Sequence, residues 1–84
     1  MNPHKLLIRA LSSPANLRFK EICDLALAFG FQLSRVSGSH HIFVRQSIPE
    51  LLNLQNVGGK AKPYQVRQLL GLVERYNLTL DDDE

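Results

Sequence analysis

The sequence has little of what extracellular and membrane proteins need. Its 84 residues include a single cysteine, Cys23, which excludes an internal disulfide framework and fits a reducing compartment. No apolar run approaches the ~20 residues that cross a bilayer. The N-terminal "LLI" is too short for the apolar core of a signal peptide. These absences predict one small cytoplasmic domain without a membrane segment.

Acidic residues are also scarce outside the last four positions. Residues 81–84 hold four of the eight acids, so residues 1–80 carry ten Lys and Arg against four acids, a net charge of +6. A basic body favours a polyanionic partner, although basic residues can also serve solubility alone. The acidic stretch 81–84 is predicted to be a solvated, disordered tail.

Two helices are predicted before the sheet. The first spans residues 4–13, with Leu7 and Leu11 on one face. Asn16 is a good N-cap for the second helix, and Gly30 supplies its C-terminal stop. The apolar stripe of that helix comprises Phe19, Ile22, Cys23 and Ala26, with Leu25 and Phe29 beside them. Residues 1–15 are therefore predicted to be a short N-terminal helical extension, and residues 16–80 the main domain.

Residues 31–37 and 40–46 change to the two-residue period of β-strands. Gly38 and Ser39 between them are typical of a type II′ hairpin turn. That turn pairs Ser37 with His40, Arg35 with Ile42, and Leu33 with Val44. These residues and Phe31 make the more apolar face, which is predicted to meet the helices. The other face is predicted to be open and carries Gln32, Ser34, Val36, His41, Phe43 and Arg45.

Residues 51–56 are predicted to form the third strand. Leu52 and Leu54 join the core face if the connection around Ile48-Pro49 has three or five residues. Residues 57–62 read as a loop, and Pro63 opens a last helix that ends near Asn77. Its predicted buried stripe is Val66, Leu69, Leu70 and Val73. The predicted fold class is α+β: an α-β-β-β-α order, with a three-stranded antiparallel sheet, helices on one face and a short extra N-terminal helix.

The histidines and the cysteine do not form a recognisable metal site, and no metal or cofactor is predicted. His40 and His41 are consecutive on a strand, so they point to opposite faces and cannot bind one ion together. His4 is remote, and Cys23 lies in an apolar stripe, where it is more often core than ligand or nucleophile. His40 is either a polar residue closing the end of the sheet or a proton-transfer group, since an imidazole can titrate at cellular pH.

A second candidate site is the stretch "GGKAKP", residues 58–63. Lys60 and Lys62 precede a helix N-terminus, whose partial positive charge favours phosphate. A Gly-Gly-Lys loop is also common as a plain connection. Phe43 could stack a base on the open sheet face or lie beneath a partner protein. A basic surface would extend over three arginines: Arg35, Arg45 and Arg67.

The stretch "GSHHIF", residues 38–43, resembles the Gly-Ser-His-x-x-Phe/Tyr signature of HicA-type toxins, the RNA-cleaving members of HicA–HicB toxin–antitoxin pairs. The resemblance covers about Phe19 to Leu78. It includes the helix ending in "AFGF", the three strands and the helix "PYQVRQLLGLVERYNL". The family's fold resembles a double-stranded-RNA-binding domain, which implies the α-β-β-β-α order already read from the pattern.

The resemblance implies a metal-independent mRNA endonuclease, an mRNA interferase, whose one essential histidine follows the Gly-Ser pair directly. That position here is His40, which would act as general base or acid when a 2′-hydroxyl attacks the adjacent phosphate. Lys60 or Lys62 would stabilise the charge that develops on the phosphorane. The predicted RNA contacts are Gly38, Ser39, His41, Arg45, Lys60, Lys62 and Arg67. The implied partners are mRNA and a HicB-like antitoxin.

Two features differ from the common family pattern. Many members have a Pro and a His shortly after the third strand, where this chain has "QNVGGKAK" at residues 55–62. The chain also carries the extra segment 1–15. Two alternatives therefore stay open: a non-catalytic RNA-binding module of the same fold, and a protein-interaction subunit, for which the acidic tail and Phe43 are the motivating features.

Overall fold

The predicted element order is confirmed by the structure, a computed structural model that describes residues 2–80. The elements are α1 (Pro3–Ser12), a 3₁₀ turn (Pro14–Asn16), α2 (Phe19–Ala28), β1 (Gln32–Ser37), β2 (His40–Arg45), β3 (Ile48–Gln55) and α3 (Pro63–Arg75). The strands form one antiparallel sheet in the order β1-β2-β3. The fold is thus α-β-β-β-α with a helix added at the N-terminus. The predicted tail 81–84 lies outside the described residues.

Helix α1 packs through a face one position away from the predicted one. Leu6 and Ala10 are buried, whereas Leu7 is half-buried and Leu11 is 63% exposed. Leu6 and Ala10 are four residues apart and therefore lie above one another on the side that contacts α2. Asn2 caps the helix, because its Oδ1 accepts a hydrogen bond from the Lys5 backbone N–H at 2.9 Å.

Helix α2 begins later than predicted. Asn16 belongs to the 3₁₀ turn, and Arg18 is the N-cap residue. Glu21 holds the first turn, because its Oε1 accepts from the Arg18 backbone N–H at 2.9 Å and its Oε2 from Arg9 Nη1 at 2.6 Å. The helix ends at Ala28 and stops before Gly30, as predicted, and Gly30 has a φ of +94° that favours glycine.

The β1–β2 hairpin confirms the predicted turn and part of the predicted register. Gly38 has a φ of +59°, as the first central residue of the turn requires. Ser37 lies opposite His40, as predicted. Further along, a register shift between Leu33 and Arg35 places Leu33 opposite Phe43 and not opposite Val44, which corrects the prediction.

The face of the sheet that meets the helices is the opposite of the predicted one. Phe43 is 2% exposed and lies opposite Leu52, which is fully buried. His41 lies opposite Leu54, which is 1% exposed. Directly opposed residues of antiparallel strands share a face. His41 and Phe43 therefore point toward the helices, and Phe43 cannot stack a base on the open side.

By the same alternation, His40, Ile42 and Val44 point to the open side of the sheet. The prediction that His40 faces the helices was wrong for an identifiable reason. It extended an uninterrupted register to Leu33 and so counted that residue on the face of Ile42. The bulge moves Leu33 to the other side, where the large Phe43 ring completes the core.

Strand β3 is longer than predicted and starts at Ile48. Its connection to β2 is the two-residue turn Gln46–Ser47, not a loop of three or five residues. Leu52 and Leu54 nevertheless face the core as predicted, because they lie opposite Phe43 and His41, on the face of β2 that meets the helices. The buried positions of β3 were therefore predicted correctly, whereas the length of the β2–β3 turn was not.

Helix α3 packs against β3 and α1 and completes the core. It starts at Pro63, as predicted, and ends at Arg75, two residues before Asn77, whose φ is +58°. Its buried residues are Gln65, Val66, Leu69 and Leu72, while Leu70 and Val73 are half-buried against the core. Among the described helices, none is long and apolar enough to cross a membrane.

Candidate nucleic-acid interface

Most of the candidate residues lie at one end of the fold. That end contains the β1–β2 turn, the start of α2, the end of β3 and the start of α3. Main-chain hydrogen bonds join the parts: Asn56 N donates to Ser39 O at 2.9 Å, and Phe19 N donates to Gly59 O at 2.9 Å. We call this surface the turn end; it comprises residues 17–19, 38–41 and 56–62.

His40 starts β2 on the open side of the sheet and is half-buried. Its Nδ1 lies 3.1 Å from Oδ1 of Asn53, a β3 residue on the same face. An amide oxygen only accepts hydrogen bonds, so this contact is a hydrogen bond in the tautomer that carries the proton on Nδ1. In the neutral ring, Nε2 then keeps its lone pair. The ring is thus oriented by one nitrogen and can accept a proton at the other.

His41 lies between the sheet and α2. Its ring centroid is 4.7 Å from that of Phe19, with the ring planes at 65°, an edge-to-face contact. Its Nδ1 is buried and has no hydrogen-bond partner within residues 2–80. An unpaired buried polar atom costs roughly 1–3 kcal/mol, so this nitrogen calls for an explanation beyond packing. The prediction that His41 occupies the open face was wrong.

Two glutamines that the sequence analysis missed hold the end of β3. Gln55 Nε2 donates to Ser39 Oγ at 3.3 Å, and the Gln55 backbone N–H donates to Gln65 Oε1 at 2.8 Å. Gln65 is 3% exposed, the one buried polar residue of the described part of the chain. Its position beside the apolar stripe of α3 was the available signal, since a buried amide needs a partner.

The glycine loop is a tight turn and not a loose connection. Val57 and Lys60 exchange two main-chain hydrogen bonds, each 3.1 Å long. Gly58 and Gly59 supply the positive φ values of +60° and +83° that this path requires. Asn56 Oδ1 accepts from Gly59 N at 2.7 Å. Lys60 therefore projects from a defined backbone position.

Three cations cluster at the turn end. Lys60 forms a β-bridge with Arg18, a cation that the sequence analysis did not single out. Lys62 is the N-cap residue of α3, and its Nζ lies 5.9 Å from the ring centroid of the exposed Tyr64. The cations stand where α2 and α3 begin, so helix dipoles add to their positive potential. This is a favourable place for a phosphate backbone.

The other predicted RNA contacts lie elsewhere. Arg45 ends β2, five residues and therefore about 16 Å along the strand from His40. Its Nε donates to the Phe29 carbonyl oxygen at 2.8 Å, which caps the C-terminal end of α2. Arg67 borders a groove between α1 and α3, next to Leu7 and Leu70. The structure does not bring these two arginines to His40.

The described residues include one free cysteine, Cys23. Burial raises the pKa of the Cys23 thiol to about 11, so the thiol stays protonated and is a poor nucleophile. Cys23 packs against the core, as predicted. Within residues 2–80, no group of three or more His, Cys, Asp or Glu side chains is placed to hold a metal ion.

Comparison with known proteins identifies a family. A family model described as "HicA toxin of bacterial toxin-antitoxin" matches residues 19–73, well over half of the 84-residue chain. The match contains α2, the sheet and nearly all of α3, together with the whole turn end except residues 17–18. No curated protein and no solved structure matches the chain significantly.

Proposed function

This chain belongs to the HicA toxin family of bacterial toxin–antitoxin systems, and we propose that it is a metal-independent endoribonuclease that cleaves mRNA in the cytoplasm with His40 as its proton-transfer residue. The contact between His40 Nδ1 and Asn53 Oδ1 is the observation that carries this proposal. It orients the ring and leaves Nε2 as the acceptor that a general base requires.

In the proposed reaction, His40 Nε2 removes the proton from a ribose 2′-hydroxyl. The 2′-oxygen then forms a bond to the adjacent phosphorus, and the bond from phosphorus to the 5′-oxygen breaks. The products are a 2′,3′-cyclic phosphate and a 5′-hydroxyl, whose oxygen takes up a proton. Because the 2′-hydroxyl is the nucleophile, DNA is not a substrate.

Charge stabilisation in this proposal comes from the cations of the turn end. Lys60 and Lys62 were predicted for this role, and Arg18 joins them through its bridge to Lys60. Cations held on a short, hydrogen-bonded turn need little rearrangement when negative charge develops on the phosphorane. Gly38 and Ser39 would let the RNA backbone approach the β1–β2 turn closely. A HicB-like antitoxin would act as the neutralising partner.

His41 is the alternative proton-transfer residue, and a specific observation favours it. Its buried Nδ1 has no partner among the described residues, and unsatisfied buried groups occur at catalytic positions. The two histidines can be separated by experiment because they point to opposite sides of the sheet.

The test compares His40→Ala and His41→Ala, with His4→Ala as a matched control at a distant histidine. Each purified protein is incubated with end-labelled single-stranded RNA in the presence of EDTA, and cleavage rates are measured. His40→Ala is expected to lose about 10²–10⁴ in rate, while His4→Ala keeps the parent rate. Replacing the riboses of the substrate by deoxyriboses should abolish cleavage.

Three other outcomes would change the assignment. Loss of cleavage in His41→Ala with retained cleavage in His40→Ala would move the role to His41. Cleavage at the parent rate by both variants would refute catalysis by either histidine. RNA binding without cleavage by the parent protein would favour the second candidate function, a non-catalytic RNA-binding module, for which the basic turn end is the motivating feature.

A further inference from the structure

Strand β1 is an open edge of the sheet. All six of its residues, Gln32–Ser37, are exposed, and β2 is its one neighbouring strand in the described sheet. An edge strand presents a row of main-chain N–H and C=O groups that can pair with another strand. Natural proteins usually protect such edges.

The opposite edge, β3, is protected in this fold. Pro49 removes one main-chain donor near its start, and the Gln65 side chain satisfies the backbone N–H of Gln55 at its end. Helix α3 packs along the same strand. The molecule therefore closes one edge of its sheet and leaves the other available.

The side chains of β1 are suited to a protein strand. Leu33 is 48% exposed and Val36 is 51% exposed. Both lie on the helix-facing side, since they pair with Phe43 and His41, yet the helices do not cover them. The side chain of Arg35 points to the open side and has no ionic or hydrogen-bonding partner within residues 2–80.

We propose that β1 is the docking edge for the antitoxin, which adds an extended segment as a fourth strand of the sheet. The main-chain groups of β1 would pair with that segment, as in other cases of β-strand addition. Apolar side chains of the segment would cover Leu33 and Val36, and an Asp or Glu would lie beside Arg35. The proposal rests on the antitoxin partnership that the family implies, and it does not require nuclease activity.

Charge selects this occupant over a second copy of the chain. Residues 1–80 carry a net charge of +6, with ten basic and four acidic residues. Two whole chains, each with a net charge of +2, repel each other, whereas an acidic segment is attracted. An RNA strand would use neither the main-chain hydrogen-bonding row nor the two apolar side chains.

The docked strand would also stand close to the candidate site. Adjacent strands are about 4.8 Å apart, so the added strand would lie about 10 Å from β2, which begins with His40. Its acidic side chain beside Arg35 would project on the same open side of the sheet as His40. Binding at the edge would thus place negative charge where an RNA backbone has to approach.

The test uses Val36→Lys and a matched control, Leu27→Lys. Leu27 lies on α2 and is exposed to the same 51%. Both changes are made in the His40→Ala background, which removes the proposed toxicity, and thermal unfolding checks that each variant folds. The probe is a purified HicB-like antitoxin, titrated calorimetrically. Val36→Lys is expected to weaken binding about tenfold or more, and Leu27→Lys less than about twofold.

Hydrogen exchange of the complex supplies an independent readout. Outward main-chain amides of residues 32–37 should become protected on antitoxin binding. The proposal is overturned if Val36→Lys and Leu27→Lys bind the antitoxin equally well. It is also overturned if the antitoxin leaves the amides of residues 32–37 unprotected, or if RNA protects those amides and the antitoxin does not. Self-association of the chain through β1 would assign the edge to a second copy and also overturn it. Loss of antitoxin binding in Val36→Lys with no RNA cleavage by the parent protein would support this docking edge while refuting the nuclease function.

Discussion

Asn53 gives the sharpest test of how His40 works, because it orients the ring without touching the substrate in the proposed reaction. The Nδ1–Oδ1 distance of 3.1 Å is that of a neutral hydrogen bond, worth about 1 kcal/mol, or a factor of about five in the population of the Nδ1–H tautomer. Asn53→Ala removes this preference and frees the ring to rotate. The cleavage rate should therefore fall about 5- to 50-fold, with unchanged RNA affinity.

Asn53→Asp makes the prediction more specific. The side chain keeps its size, but the carboxylate stabilises the charged imidazolium. A charged hydrogen bond exceeds a neutral one by about 1–2 kcal/mol, which corresponds to about one pH unit. If His40 acts as a base, the acid limb of the pH–rate profile should move upward by about that amount. A merely structural role for Asn53 would lower the rate without moving the profile.

The assay is single-turnover cleavage of a labelled RNA from pH 5 to pH 9. Gln32→Glu is the matched control, because it adds the same charge to an exposed residue near the far end of the sheet. Its profile should match that of the parent protein. An unmoved profile in Asn53→Asp, or full activity in Asn53→Ala, would refute the orientation argument.

Three further predictions concern packing and ionisation. Phe43→Ala should lower the free energy of unfolding by about 3–5 kcal/mol, and the half-buried Ile42→Ala by much less; equal losses in urea unfolding would contradict the observed sheet face. The pKa of Glu21 is lowered from 4.5, chiefly by the hydrogen bond from the Arg18 backbone N–H. The Glu21 carboxylate therefore stabilises the folded state above pH 4.5, and this contribution disappears as the pH falls through the lowered pKa. Glu21→Ala should therefore cost about 1 kcal/mol at pH 7, and the difference from the parent protein should shrink in acid; a cost independent of pH would contradict the role of the charge. Because burial raises the pKa of Cys23 to about 11, its alkylation at pH 8 should be slow in the folded protein and fast in urea, and rapid labelling without denaturant would show that the thiol is not held this way.

Local signals in the sequence were sufficient for the order of elements. Gly30, Gly38 and Pro63 each act through their own backbone geometry, so the end of α2, the hairpin turn and the start of α3 were predicted correctly. The α-β-β-β-α order followed from these boundaries and from the change of period between helices and strands. None of these features depends on distant residues.

The orientation of the sheet could not be predicted in the same way. The pairing of β1 includes a bulge between Leu33 and Arg35, and a shift of one residue exchanges the two faces of a strand. No local signal marks the bulge, and the burial of Phe43 depends on Leu52, a residue of a different strand. The prediction that His40 and His41 lie on opposite faces was correct, but the face assigned to each was wrong. His40 lies on the open side and His41 on the helix-facing side.

Parts of the candidate site depend on contacts across long stretches of sequence. Asn53 reaches His40 from the next strand, and Arg18 meets Lys60 through a bridge between two loops. Short-range sequence patterns cannot predict either contact, because the two residues of each pair are far apart in the sequence. The lysines of the glycine loop were found because their spacing before a helix is a local feature, while the arginine that completes the cluster was not.

The alternation of His40 and His41 gives the protein two built-in NMR reporters. The ring signals of His40 sense whatever approaches the open side of the sheet, next to Asn53. Those of His41 lie within the ring-current field of Phe19, at a centroid distance of 4.7 Å, and sense the packing of α2 on the sheet. A ligand that shifts His40 alone binds the surface. One that shifts both resonances has also altered the helix–sheet interface, so a single titration can separate binding from rearrangement.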